Sequence, residues 1–302
     1  MASNLITRNE KIVEQSPCEG FTMKQRFAGK AGWLAALALP GVLALAAPAM
    51  AAVTGTLEEG RLSIGSDLTY PPYAYLEQSQ PAGFDPEFMR ALGKQLQLQP
   101  DFRDTRFANL VMGVNARRFD VVASALYVTP ERARQVDFLP YLKSGASLLV
   151  RSDDDFRPQR AEDLCGKRVA SIKGGSWIPR LLEVSRQYCE AQGKPAIQSR
   201  EFPTSPEAAQ ALLAKAVDVQ FENAAVAKIT AEKLQGRLQI ASRELIYPVV
   251  IGLAVRKGNG ELLDGLRQGF EAMKQDGEYQ ALLARYNLAE PSAADVAQAL
   301  GN

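Results

Sequence analysis

Histidine is absent from all 302 residues. That excludes Ser-His-Asp and Cys-His nucleophilic catalysis, histidine-ligated metal sites and an imidazole charge switch near neutral pH. An excess of charge of either sign is absent too. Lys and Arg number 35 and Asp and Glu 34, so nothing in the balance implies a nucleic-acid surface or a polybasic membrane patch. Cysteine is scarce, with three in the chain. Beyond residue 52 there is no long apolar run, no repeat of fixed period and no low-complexity segment, so that part reads as a soluble protein.

What is present begins with a leader. Lys24, Arg26 and Lys30 precede an uncharged run from Ala31 to Ala52, rich in Leu and Ala, broken by Pro40-Gly41 and ending APAMAA. A basic head, an apolar middle and small residues at the end form the pattern of a secretory signal peptide cut after Ala51 or Ala52. Met23 is an alternative start. An uncleaved membrane anchor is the competing reading, but the interruption leaves the apolar core short of the ~20 residues a span needs. No cysteine stands directly after the cleavage region, which argues against an acylated lipoprotein. The 250 residues that remain carry 30 basic and 31 acidic side chains, enough chain for one large or two modest α/β domains. Cys18 leaves with the leader. Cys165 and Cys189 are then an even pair in an oxidising compartment, which reads as a disulfide rather than two buried thiols.

From Arg61 short apolar runs alternate with amphipathic segments, the signature of βα units and a mostly parallel sheet. RLSIGSD reads as a first strand, Asp85 to Gln97 as a helix with Phe88, Leu92 and Leu96 on one face. A strand from Phe102, a helix from Leu110 to Arg117 and a strand from Phe119 to Ala125 follow. After the charged break RSDDDFRPQRAED a second set begins. It comprises a strand from Lys167 to Ile172, a helix from Pro179 to Cys189, a strand around SREF, a helix opened by TSPE and a strand VDVQFE. Thr204 and Glu207 stand at capping-box spacing. The apolar run Pro248 to Val255 then precedes helices from Glu261 to Gln275 and from Glu278 to Tyr286, and an Ala-rich tail. Two tandem βα sets suggest two lobes.

Chemistry concentrates where strands end, the edge at which open α/β sheets bind ligands. After the run FDVVASAL, Thr129 caps a helix whose first turn holds Pro130, Glu131 and Arg132. The Arg132 guanidinium there is a planar fork matched to a carboxylate. The plainer alternative is an ion pair with Glu131 or Asp137. Asp67 and Tyr70 end the first strand, and Phe107 joins a strand to a helix, so Tyr70 and Phe107 could sandwich a side chain or a cation. Turn capping by Asp67, packing of Tyr70 on a lobe surface and core packing of Phe107 are the alternatives. Gly174-Gly175-Ser176 opens a helix, where close backbone approach and free amide donors favour a carboxylate. A phosphate loop would need the lysine-serine ending that is missing here.

The stretch from Ser124 to Tyr141, SALYVTPERARQVDFLPY, resembles the signature of periplasmic amino-acid-binding proteins, the bacterial solute-binding proteins of family 3 that serve ABC importers. Asp120, Ser124, Thr129, Arg132, Phe138, Pro140 and Tyr141 carry the likeness, Gly83-Phe84-Asp85 extends it, and it spans about Arg61 to Leu288. It implies a two-lobed α/β fold, the type II periplasmic binding protein fold, closing by a hinge. Residues 1–52 would be the leader, 53–147 and 247–290 the first lobe, 148–246 the second and 291–302 a tail. It further implies a ligand set of Asp67, Tyr70, Phe107, Ser124, Tyr127 and Arg132 from one lobe and Gly175, Ser176 and Asn223 from the other. Arg132 and Ser176 would take the ligand carboxylate. The expected partners are an amino acid or related small carboxylate and an inner-membrane ABC permease, for a periplasmic monomer that uses no cofactor or metal and is not an enzyme.

Two positions depart from the family pattern. Asn223 stands where an aspartate usually pairs with the α-ammonium, and Tyr127 where a small hydroxyl residue is common. Glu222 is adjacent, but strand alternation points it to the opposite face. These departures bear on the amino half of the ligand and leave the carboxylate half intact. The runner-up is a periplasmic enzyme on the same scaffold, resembling cyclohexadienyl dehydratase, with Lys173 or Glu222 as its acid or base. A ligand-presenting sensory role is a third reading.

Overall fold

The computed structural model describes residues 53–301. The signal-peptide expectation falls outside them. Strand β1 (Arg61–Ser66) turns Leu62 and Ile64 into the core between part-exposed Arg61 and Ser63, the alternation of a pleated strand. β2 (Thr69–Tyr70), β3 (Ala74–Glu77) and β4 (Gln80–Ala82) form a small antiparallel sheet that no apolar alternation announces. Helix α1 (Phe84–Leu96) buries Phe88, Leu92 and Leu96 as their spacing predicts. Gly83 before it has φ +103°, and a Cβ there would meet Pro72 O at 2.6 Å and Tyr73 O at 2.7 Å, so the turn requires glycine.

β5 (Gln99–Asp104), a short 3₁₀ turn at Phe107–Asn109 and α2 (Leu110–Asn115) lead to β6. β6 is shorter than the run Phe119 to Ala125 predicts. Only Val121–Val122 pair as strand, because Ala125 turns to φ +45° and donates its N–H to Asp85 Oδ2 at 2.8 Å. A carboxylate distant in sequence takes the donor that a ladder would have used. α3 (Pro130–Ala133) starts at Thr129, whose Oγ1 accepts from Arg132 N at 3.2 Å, and β7 (Val136–Arg151) follows.

The second set comprises β8 (Arg168–Ile172), α4 (Trp177–Val184), β9 (Gln198–Phe202), α5 (Ser205–Leu213), β10 (Val219–Asn223) and α6 (Ala224–Lys233). α4 starts before Pro179 because that proline lies in the first turn, where its missing N–H leaves no bond unmade. Beyond Val184 the chain widens into a π turn, Ser185–Cys189. The reciprocal Thr204–Glu207 capping box forms at α5. β11 (Leu238–Ile240), β12 (Ile246–Arg256), α7 (Gly260–Gln275), α8 (Glu278–Tyr286) and α9 (Ala293–Leu300) complete the described chain. The Ala-rich tail is thus a helix, opened by a Ser292–Asp295 capping box.

Nine strands make one sheet in the order β5-β1-β6-β12-β7-β10-β8-β9, with β11 also on β7. It is parallel at both ends and antiparallel through the middle. β7 and β12 cause this, because they pair with each other over most of their length and each passes from one parallel set to the other. Phe84, Phe88 and Tyr141 stack in the core of the first set, with Phe270 and Tyr279 meeting Phe88 edge-on. Cys165, just ahead of β8, is bonded to Cys189 at the end of the π turn, Cα atoms 5.5 Å apart. Asp120 is a structural anchor: its carboxylate accepts from Leu57 N at 2.6 Å and Ser63 N at 2.8 Å.

Candidate functional site

Strand ends of the two parallel sets face each other across a cleft. From the first set come Tyr70, Phe107, Tyr127 and Arg132; from the second come Gly175 and Ser176 at the start of α4. These six border one gap, together with Ala125, Ile172 and Trp177. The gap holds only about 10 Å³, room for about one water. Asp67, Ser124 and Asn223, expected in the same set, do not line it; they lie fully buried behind it.

Arg132 fastens the cleft shut. Nη1 donates to Tyr127 O and Nη2 crosses to Gly174 O in the second set, each at 2.9 Å. Its guanidinium also lies 5.6 Å over the Phe107 ring. Neither Glu131 nor Asp137 pairs with it: Asp137 is held by Lys257 at 2.7 Å. Burial lowers the Arg132 pKa from 12.5 to about 10, still cationic at neutral pH. Gly174 has φ +82° and presses on Ala108 of the first set, 3.2 Å from the place of its missing Cβ.

Asp67 is occupied by its own neighbourhood. Oδ1 accepts from Thr69 Oγ1 at 2.7 Å and Arg106 Nη1 at 2.8 Å, Oδ2 accepts from Phe107 N at 2.8 Å, and Asp67 N donates to Ser124 Oγ at 2.9 Å. Burial raises its pKa above the usual 3.8 despite those donors. Asn223 caps α6, accepting from Ala225 N at 2.9 Å, while Nδ2 donates to Tyr127 OH at 2.7 Å and Ser144 Oγ at 3.0 Å. Tyr127 thereby joins both sets.

Alternation along β10 separates Glu222 and Gln220 from Phe221 and Asn223, as the strand period requires. Both faces nonetheless meet the first set. Glu222 Oε1 accepts from Tyr70 OH at 2.5 Å and Asn223 N at 2.8 Å, and Oε2 from Ser205 Oγ at 2.5 Å and Gln220 Nε2 at 2.9 Å. Burial raises the Glu222 pKa and pushes Tyr70 well above 10. Lys173 is exposed.

Two residues escaped the sequence reading. Arg106 neutralises Asp67. Trp177 packs its ring 5.7 Å from Tyr127 and 5.6 Å from Phe221 and narrows the gap between the two sets; an indole directly after Gly-Gly-Ser was its only signal. On either side of the Tyr127–Trp177 pair the cleft widens into cavities. One of about 310 Å³ borders Phe107, Arg132, Gly174 and Ser176, and another of about 370 Å³ lies toward β12 and α9.

A cationic fork facing a helix start across the junction of two α/β sets, joined by long crossing strands, defines a two-lobed ligand-binding protein. The profile of the bacterial extracellular solute-binding proteins, family 3, matches residues 62–289, and the chain belongs to that family. The L-cystine-binding protein TcyJ of Escherichia coli strain K12 is 27% identical over 260 residues, covering 82% of this chain and 94% of its own. The ABC transporter arginine-binding protein 1 of the same strain is 28% identical over 246 residues, 80% and 96% of the two chains. An ancestral arginine-binding protein bound to glutamine superposes with a TM-score of 0.69 at 28% identity, covering 76% of this chain and 98% of its own.

Proposed function

We propose that this protein captures an amino acid or a related small carboxylate in the periplasm and delivers it, as a monomer, to an ABC permease. Arg132 carries the reading. It is a strand-end guanidinium whose two hydrogen bonds go to peptide carbonyls on opposite walls of the cleft, weaker acceptors than a carboxylate. A ligand carboxylate would replace Gly174 O on opening and reclosure, meeting the α4 amides and Ser176 from the other wall. The family and the named relatives support this class of ligand and transporter. The lobe boundaries follow: 53–147 and 247–290 against 148–246, with β7 and β12 as the hinge strands and residues 291–302 as an appended tail.

The amino half is where this chain parts from a plain α-amino-acid site. Among the described residues no carboxylate lines the gap: Asp67 is paired with Arg106, and Glu222 is held by four donors. An ammonium buried without a countercharge is costly, so ligands whose amine is substituted, displaced or absent are favoured. An enzymatic role has less support, since Lys173 is exposed and Glu222 is fully engaged. Calorimetry on a panel of amino acids, opines and keto acids tests the reading. Arg132→Ala should lose about 2–5 kcal/mol of affinity for the best ligand. Unchanged affinity in a folded variant would overturn the assignment.

A further inference from the structure

The cavity of about 370 Å³ beyond Tyr127 and Trp177 lies apart from Arg132 and has a chemistry of its own. Its walls are aromatic: Tyr127 and Trp177 from one side, Phe221 and Tyr247 from the other, with Tyr247 stacked 5.9 Å from Phe221. The volume lies within the range of small-molecule sites, which combine apolar walls with a few fixed polar groups. Here those groups include Thr129, Ser176, Arg180, Asp295 and Gln298. Trp177 is only 5% exposed, and its buried Nε1–H has no hydrogen-bond partner among the described residues. A buried indole N–H ordinarily finds an acceptor.

Arg180 lies 5.0 Å over the Tyr247 ring and makes no ion pair or side-chain hydrogen bond among the described residues. The acid on the cavity wall, Asp295 of α9, is already neutralised by Lys143 at 2.7 Å and by its own capping box. Gln298 and Ala299 of the same helix close that side. Flat apolar walls and a free guanidinium complement a planar body bearing an anionic group. We propose that this cavity is a second binding site, for an aromatic carboxylate, with Arg180 as the charged donor, the Trp177 indole in its wall and α9 closing its outer side.

Trp177 is the only tryptophan after residue 52, so the mature chain shows one indole N–H resonance, an unambiguous reporter. Titration of the full mature protein with benzoate and phenylacetate, followed by ¹⁵N-correlated NMR, should move that resonance saturably, while acetate leaves it in place. Arg180→Met, a change at an exposed position, should weaken the benzoate response at least tenfold. Truncation before Ser292 should weaken it at least fivefold by removing the outer wall. An indole resonance unmoved by millimolar benzoate and phenylacetate would overturn the proposal. So would a response that survives Arg180→Met but disappears in Arg132→Ala, since the acid would then be in the Arg132 cleft.

Discussion

Replacing Tyr70 by phenylalanine removes one oxygen and one hydrogen bond, the 2.5 Å contact to Glu222 Oε1 that ties the first set to the second. The ring stays, so packing is conserved and the cost is that of the donor. A hydrogen bond to a charged group contributes about 1.5–3 kcal/mol and a neutral one about 0.5–1.5. Glu222 keeps Ser205, Gln220 and Asn223 N as donors, which places the loss at the lower end, about 1.5–2 kcal/mol with the carboxylate ionised. The pH dependence has a definite sign. Burial holds the native Glu222 pKa above its unfolded value of 4.5, and losing a donor raises it further. In that window the native state binds more protons than the unfolded state, so stability falls as pH rises. The Tyr70→Phe deficit should therefore be largest above the native pKa and shrink to about 0.5–1 kcal/mol as pH approaches 4.5. Urea unfolding followed by Trp177 fluorescence at a series of pH values from 4.5 to 9 follows the deficit between the two limits. A deficit below about 0.5 kcal/mol at every pH, or one constant across the series, refutes the reasoning.

Asp85 is fully buried between Ala125 N and Tyr141 OH, and burial raises its pKa from 3.8 to about 7. Its protonation therefore favours the native state between those values, and wild type should lose stability relative to Asp85→Asn as pH rises from 4 to 8, by up to about 4 kcal/mol; paired urea titrations that stay parallel across that range would contradict this. Replacing Cys165 and Cys189 by serine reopens a link between positions 24 apart; the unfolding free energy should fall by about 3–4 kcal/mol in the chain-entropy account while calorimetric ligand affinity stays within twofold. Asn223 lies buried behind the closed gap; where opening of the cleft brings it to the ligand, Asn223→Asp should raise affinity for simple α-amino acids by about 1–3 kcal/mol, and calorimetry showing no gain with a folded protein would count against the selectivity argument.

The sequence by itself determined what local chemistry can determine. Apolar periodicity located α1, α7 and α8 within a residue or two, the Thr204–Glu207 spacing produced the cap it predicts, and Thr129-Pro130 started α3 with Arg132 at a strand end. The even cysteine pair beyond residue 52 became the Cys165–Cys189 bond. Each of these rests on residues that interact within one element or on a property of the whole chain. Partners far apart in sequence were decided by the tertiary structure alone. Asp85 ends β6 by taking the Ala125 N–H, Arg106 claims Asp67, and Glu222, on the face of β10 that alternation turns away from Asn223, still reaches Tyr70, 152 positions earlier. β7 went unread because its 16 residues pair in turn with β12, β10 and β11, so its burial follows from neighbours rather than from a period of its own. Trp177 and Tyr127 fill the centre of the cleft for the same reason. Whether a large side chain lines a ligand space or occupies it depends on the distance between two sheets, which only the packed chain fixes.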